Sequence, residues 1–212
     1  MTGPDAGAAL PLRLEDLADE AVARAGDGRP VVLIDGRSGA GKTTLAGALA
    51  GHLARRLGRP VVVASLDDCY PGWHGLAAAS QMVTSSILRR NDPGYRRYDW
   101  AAGREAEWIA LSSSDPLIVE GAGCLTPTSA PLASLRVWAD ADEAVRRQAA
   151  LGRDGASYEP WWDVWEQQEL AHLAAHRPDQ LADVTIDPVW GLAWWHRHTP
   201  AHDSPVTQRR VP

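Results

Sequence analysis

The chain has 212 residues, a formal net charge of -6, a sequence pI near 5.6 and 45% hydrophobic content, which fills one good core without requiring a second domain. This acidic balance argues against a basic face for nucleic acid, and no long uncharged apolar run offers a membrane span. Two cysteines, Cys69 and Cys124, form neither a C-x-x-C pair nor a disulfide framework, so the expected setting is cytoplasmic, with a homodimer left open.

In chain order, Leu14 to Ala25 reads as an amphipathic helix, followed by a turn at Gly26-Asp27-Gly28-Arg29-Pro30 and a short β-branched strand at Val31-Val32-Leu33-Ile34. Gly36-Arg37-Ser38-Gly39-Ala40-Gly41-Lys42-Thr43 then matches G-x-x-x-x-G-K-[ST] in full. After it, Thr44 opens a helical pattern with Leu45, Leu49 and Leu53 four apart. Strand, glycine loop and helix is the order a phosphate-binding loop requires. Lys42 is the one lysine among 21 lysines and arginines. A compact ammonium on a flexible stem reaches phosphate oxygens where a planar guanidinium is bulkier. Gly36, Ser38, Gly39, Ala40, Gly41, Lys42, Thr43 and Thr44 are therefore expected to cradle the phosphates of ATP, with the Thr43 hydroxyl on Mg2+.

Four further strands are expected at Val61–Leu66, Leu117–Val119, Leu135–Trp138 and Val184–Ile186. With the first they predict a three-layer α/β P-loop NTPase fold on a five-stranded parallel sheet. One domain is expected over residues 1–190, with a small helical lid at about 141–160 and a partly mobile tail over 191–212. Ligands in such sheets bind beyond the carboxyl ends of the strands, where Asp67-Asp68 and Glu120 fall. Phosphoryl transfer to an alcohol needs a base on the acceptor hydroxyl and a carboxylate near the metal. Asp67 suits the first role and Glu120 the second; a turn-capping pair at a strand end is the plainer alternative for the aspartates.

Taken in order, the Gly36–Thr43 loop, Asp67-Asp68-Cys69-Tyr70, Val119-Glu120-Gly121 and Arg153-Asp154 resemble the uridine kinase and pantothenate kinase group of P-loop kinases over residues 30 to 187. The resemblance implies that Asp67 is the catalytic base, that Tyr70 neighbours the acceptor, and that Glu120 helps organise magnesium. It also implies that Arg146 and Arg153 sit on a lid over the phosphates. The chain departs from that group at Gln148-Ala149-Ala150-Leu151-Gly152, where the lid usually carries another arginine, and at Cys69, where an aromatic residue is usual.

The segment covering the nucleoside in uridine kinases is replaced by Asn91-Asp92-Pro93-Gly94-Tyr95-Arg96-Arg97-Tyr98-Asp99-Trp100. Arg97 and Asp99 are its preferred substrate-binding pair, and its arginines would favour an anionic acceptor; a solvated loop with a local salt bridge is the plain reading. The chain has 10 tryptophans, 4 tyrosines and no phenylalanine. Trp161 and Trp165 share a helical face that reads first as core packing, whereas Trp73, beside Pro71-Gly72, is expected nearer the acceptor. His172 and His176 are four apart on a helix but lack a third ligand and read as surface histidines.

These features predict a magnesium-dependent kinase moving the γ-phosphoryl group of ATP to a hydroxyl of a small, nucleoside-like or similar alcohol. A regulatory ATPase without an acceptor shares the loop. A GTPase would need N-K-x-D and an ABC-type ATPase L-S-G-G-Q, and neither is present.

Overall fold

A computed structural model describes residues 10–155, 158–189 and 191–196, with the side chains of Arg153 and Asp154 outside that description. The first half contains β1 (Leu10–Pro11), α1 (Leu14–Ala25), β2 (Val31–Gly36), α2 (Lys42–Leu57), β3 (Val62–Ser65) and α3 (Leu76–Met82). A hairpin follows, β4 (Gly94–Asp99) and β5 (Arg104–Ala110), then β6 (Leu117–Glu120), β7 (Leu135–Ala139) and α4 (Glu143–Asp154). The chain continues through α5 (Trp162–His176), α6 (Pro178–Leu181), β8 (Val184–Asp187) and β9 (Leu192–Trp195).

The main sheet has the order β1-β9-β8-β7-β2-β6-β3. Its run β8-β7-β2-β6-β3 comprises the five expected strands, with β3 at the edge, and every pairing among them is parallel. Along β2 the side chains alternate: Val32 and Ile34 pack with Leu17, Leu45 and Leu49 of α1 and α2, while Leu33 joins the opposite core with Leu76 and Trp165. A helical layer therefore covers each face, giving the three-layer α/β arrangement. Glu15 and Asp16 in the first turn of α1 and Arg24 in its last complement the helix dipole.

Two differences from the sequence reading concern strands. The sheet has seven strands rather than five, because β9 returns antiparallel along β8 and β1 adds two residues beyond it. The segment expected to begin the tail at residue 191 thus enters the sheet; Gly191, at φ +63°, turns the chain back so that Leu192–Trp195 covers the open edge of β8. Residues 197–212, including His198 and His202, lie outside the described residues. Residues 94–99, expected as part of an acceptor loop, instead form the first strand of a two-stranded hairpin. Asp99 stabilises its turn by accepting from the Ala102 amide at 2.9 Å, and the Gly103 amide donates to the Asp99 carbonyl.

Candidate active site

The loop between β2 and α2 carries out the geometry its glycines predict. Gly39 has φ +78°, and a Cβ there would lie 2.0 Å from the carbonyl oxygen of Arg146. Gly41, at φ +81°, is the left-handed residue from which α2 starts, so the helix N-terminus begins at Lys42 itself. The Lys42 ammonium donates to the Arg37 carbonyl at 3.1 Å, which draws it back over the loop. Ser38, Gly39, Gly41, Lys42, Thr43 and Thr44 line one end of a cavity of about 680 Å3. Gly36 and Ala40 support this end from outside the lining: a Cβ on Gly36 would lie 2.2 Å from the Ala139 carbonyl oxygen, and Ala40 is buried in the core.

Glu120 closes the floor at the end of β6. Its Oε1 accepts from the Thr43 hydroxyl at 3.1 Å and from the Ser65 hydroxyl at 2.6 Å. Burial pushes its carboxyl above the usual carboxylate range; bonds from Ser65 and Thr43 and the charge of Lys42 pull the other way, while Asp67 adds to the rise. A hydroxyl and a carboxylate beside a phosphate cradle form the hard oxygen donor set that suits Mg2+, which usually keeps several waters and takes one or two protein ligands with substrate phosphates. Among the described residues no group of three or more His, Cys, Asp or Glu side chains is placed to hold a metal ion.

Asp67 lies in the single 3-10 turn after β3 and lines the same cavity. Its amide donates to Ser65 Oγ at 3.3 Å, and its carbonyl accepts from Trp100 Nε1 at 2.9 Å. Asp68 does not line the cavity; its carboxyl is pushed up by burial and by the neighbouring Asp67 charge. Burial likewise raises the Cys69 thiol to about 12 and pushes that of Cys124 well up, leaving both as packing groups rather than nucleophiles.

Beyond Asp67 the wall is aromatic: Tyr70, Trp73, Trp100, Tyr158 and Trp165 line it. Trp73 is parallel to Tyr158 at 5.5 Å and to Trp161 at 5.6 Å, and meets the edges or tilted faces of Trp165 and Trp100. Tyr70 presents its ring here while its hydroxyl donates to the Ala122 carbonyl at 2.8 Å. Trp165 is thus both a core residue and part of the cavity wall.

The structure brings Lys42, Thr43, Asp67, Tyr70, Trp73 and Glu120 into one cavity and leaves other expected site residues out of its lining. Arg97 forms a two-pronged contact with Glu107 across the hairpin, and Asp99 is spent on the turn, so they are not each other's partners. Arg146 is buried under the phosphate loop, donating to the carbonyls of Ser38 and Ala141. From α4 the cavity receives Ala149 and Ala150. Arg153 belongs to that helix, but its side chain lies outside the described residues.

Several supporting residues escaped the sequence reading. Glu169, 3% exposed, accepts from the Ser38 amide at 2.7 Å and from Arg37 Nε at 3.2 Å; Glu166 holds the other end of that guanidinium. Gln168 donates to the Trp73 carbonyl at 2.7 Å and accepts from the Leu76 amide at 3.3 Å. Asp35 is buried, accepts from the amides of Gly36, Gly123 and Leu125, and meets His172 Nε2 at 3.1 Å. His172 is therefore a core residue, not a surface one. The available signal was the spacing Trp162, Trp165, Glu169, His172: an acid and a histidine at core positions of one helical stripe need buried partners.

The fold, with its glycine loop between β2 and α2, is the three-layer α/β arrangement of P-loop NTPases. No protein-family model matches the chain, and no curated protein matches it significantly in sequence. Solved structures similar to it include a possible uridine kinase from Bacillus stearothermophilus, at 24% identity and TM-score 0.58, covering 82% of this chain and 97% of that one. A candidate fructose transport system kinase from Silicibacter sp. TM1040 is similar at 17% identity and TM-score 0.54, covering 82% and 99%. At these identities the likeness is one of fold: the chain shares the P-loop NTPase-like α/β fold of these structures. Among the described residues no helix is long and apolar enough to cross a membrane.

Proposed function

We propose that the protein is an ATP- and magnesium-dependent kinase that transfers the γ-phosphoryl group to a hydroxyl of a small metabolite. The observation that supports this reading is that Asp67 lines one cavity together with the glycine loop and an aromatic wall, its amide donating to Ser65, which bonds Glu120, and its carbonyl accepting from Trp100. A hydrolase or switch needs the cradle; a second walled space beside a potential base is what an acceptor requires.

In this reading the loop amides and the N-terminus of α2 bind the phosphates, and Lys42 neutralises the transferring group. Magnesium, held by Thr43 and, directly or through water, by Glu120, would supply charge neutralisation across the phosphates. Asp67 orients the acceptor hydroxyl and takes its proton as the new O–P bond forms. Arg146 acts from below by fixing the Ser38 and Ala141 carbonyls, while Arg37, Glu166 and Glu169 hold the outer loop. The aromatic wall and the alanine face of α4 exclude water from the reacting groups.

The test is ADP release from ATP and magnesium over a panel of alcohols, with Lys42→Ala as the blank. Release raised many-fold by one class of alcohol supports the transferase. Lys42-dependent release indifferent to every alcohol would replace it with an acceptor-free ATPase.

A further inference from the structure

Helix α5 reaches both ends of the cavity from one face. Trp165, Gln168, Glu169 and His172 stand three and four positions apart and so share that face. Trp165 lines the aromatic wall and meets Tyr70 edge to face, with ring centroids 4.7 Å apart. Gln168 holds the turn that carries Trp73, donating to the Trp73 carbonyl and accepting from the Leu76 amide. Glu169 turns to the glycine loop: one carboxylate oxygen accepts from the Ser38 amide and the other from Arg37 Nε. His172 meets Asp35, which accepts from the Gly36 amide where the loop begins.

The loop side of this connection is tightly held. Two helices bracket the backbone of Ser38 with buried charges, Glu169 of α5 on its amide and Arg146 of α4 on its carbonyl. Arg37 is gripped at both ends: its carbonyl accepts from the Lys42 ammonium, and its guanidinium is held by Glu166 and Glu169. An anion entering the loop competes with that carbonyl for the ammonium, and the residue that loses it is anchored on α5. Because Glu169 is buried, it cannot exchange its partners for water, so a displacement of the loop passes into the helix.

Resting on the reading of residues 36–44 as a phosphate cradle, we propose that Glu169 is a positioning residue that ties the cradle to the aromatic wall, so that occupancy of the one resets the other through α5. A helix moves as a rigid element, and this one takes Trp165 and the Trp73 turn with it. Linkage makes the effect reciprocal: a guest that the wall holds more tightly over a filled cradle also tightens the hold on phosphate.

Hydrogen exchange read by mass spectrometry tests this on the intact chain, with inorganic tripolyphosphate and magnesium as the probe. At saturation, exchange should slow across residues 36–44 and also, by roughly fivefold or more, across residues 70–76 and 162–169. Glu169→Ala, brought to the same occupancy, should keep protection of the loop and lose most of that at 70–76. Glu169→Gln retains an acceptor for the Ser38 amide and should restore most of it. Should Glu169→Ala fail to fold, Gln168→Ala cuts the connection at the wall end instead, and protection at 70–76 should fall with the loop contacts intact. Parental protection of 70–76 in Glu169→Ala or Gln168→Ala, or protection confined to the loop in the parent, overturns the proposal and leaves the cradle standing. Failure of the parent to bind tripolyphosphate at all removes the cradle and the proposal with it.

Discussion

The two halves of the cavity are built in opposite ways. The phosphate end comes from one run of chain, residues 36–44, and acts mainly through backbone, with Lys42 and Thr43 as its principal side chains. The aromatic wall is assembled from segments far apart in sequence, around residues 67–73, 100, 158 and 165, and presents mainly side chains. Backbone cradles tolerate little variation, because glycine conformation and amide direction leave few solutions. A wall of rings accommodates change one residue at a time. Under the proposed function, recognition of phosphate and recognition of the acceptor are therefore separable, and substitutions should divide along that line.

Asp67, at the join, gives the largest expected effect. Asp67→Asn should lower transfer by roughly 10²–10⁴-fold while leaving ATP affinity near that of the parent, read by steady-state turnover alongside calorimetry. Parental turnover would remove Asp67 from its role as base. Lys42→Ala tests the other side of the line: turnover should fall on the order of 10²–10³-fold, and nucleotide binding should weaken with it. Strong ATP binding after that change would make the cradle a backbone device alone.

Glu169 challenges the separation, since α5 carries both Trp165 of the wall and the carboxylate holding the Ser38 amide. Glu169→Ala leaves that amide and one side of Arg37 without their partner, and should cost about 1–3 kcal/mol of stability in a denaturant melt. Nucleotide affinity should fall in the same variant. Asp183 is a control remote from both halves. Burial alone would raise its carboxyl, but its bonds to Arg136 and Arg24 outweigh that, and the net direction is downward. A lowered folded value means that this stabilisation is present above the unfolded value, near pH 3.9, and is lost as pH falls through the folded one. Asp183→Asn should therefore be less stable than the parent at neutral pH, with the gap closing below about pH 4 in acid melts. Smallest of all, Arg97→Ala removes an exposed pair with Glu107 and should leave both stability in a denaturant melt and turnover close to those of the parent. A large loss of turnover there would return the hairpin to the acceptor site.

The same contrast explains what could be read from sequence. The five parallel strands were visible because each is a short apolar run bounded by turn residues, and the cradle because its motif is contiguous. Strand β9 was hidden because Leu192–Trp195 follows a single glycine turn and precedes a polar, histidine-bearing stretch. The hairpin was hidden because Arg96, Arg97 and Asp99 look like ligands for substrate until Glu107 and the Ala102 amide are placed opposite them. Asp35, Glu169 and His172 depend on partners 88 to 137 positions away, a separation no local pattern encodes.

The arrangement around Trp73 carries an optical consequence. With no phenylalanine and 10 tryptophans in the chain, near-ultraviolet absorption is dominated by indoles. Parallel rings 5.6 Å apart, as in Trp73 and Trp161, couple their transition dipoles strongly enough to split bands in circular dichroism. A guest entering beside Trp73 should perturb that coupling, so occupancy of the aromatic-walled space would show in the protein's own spectrum, with no label attached.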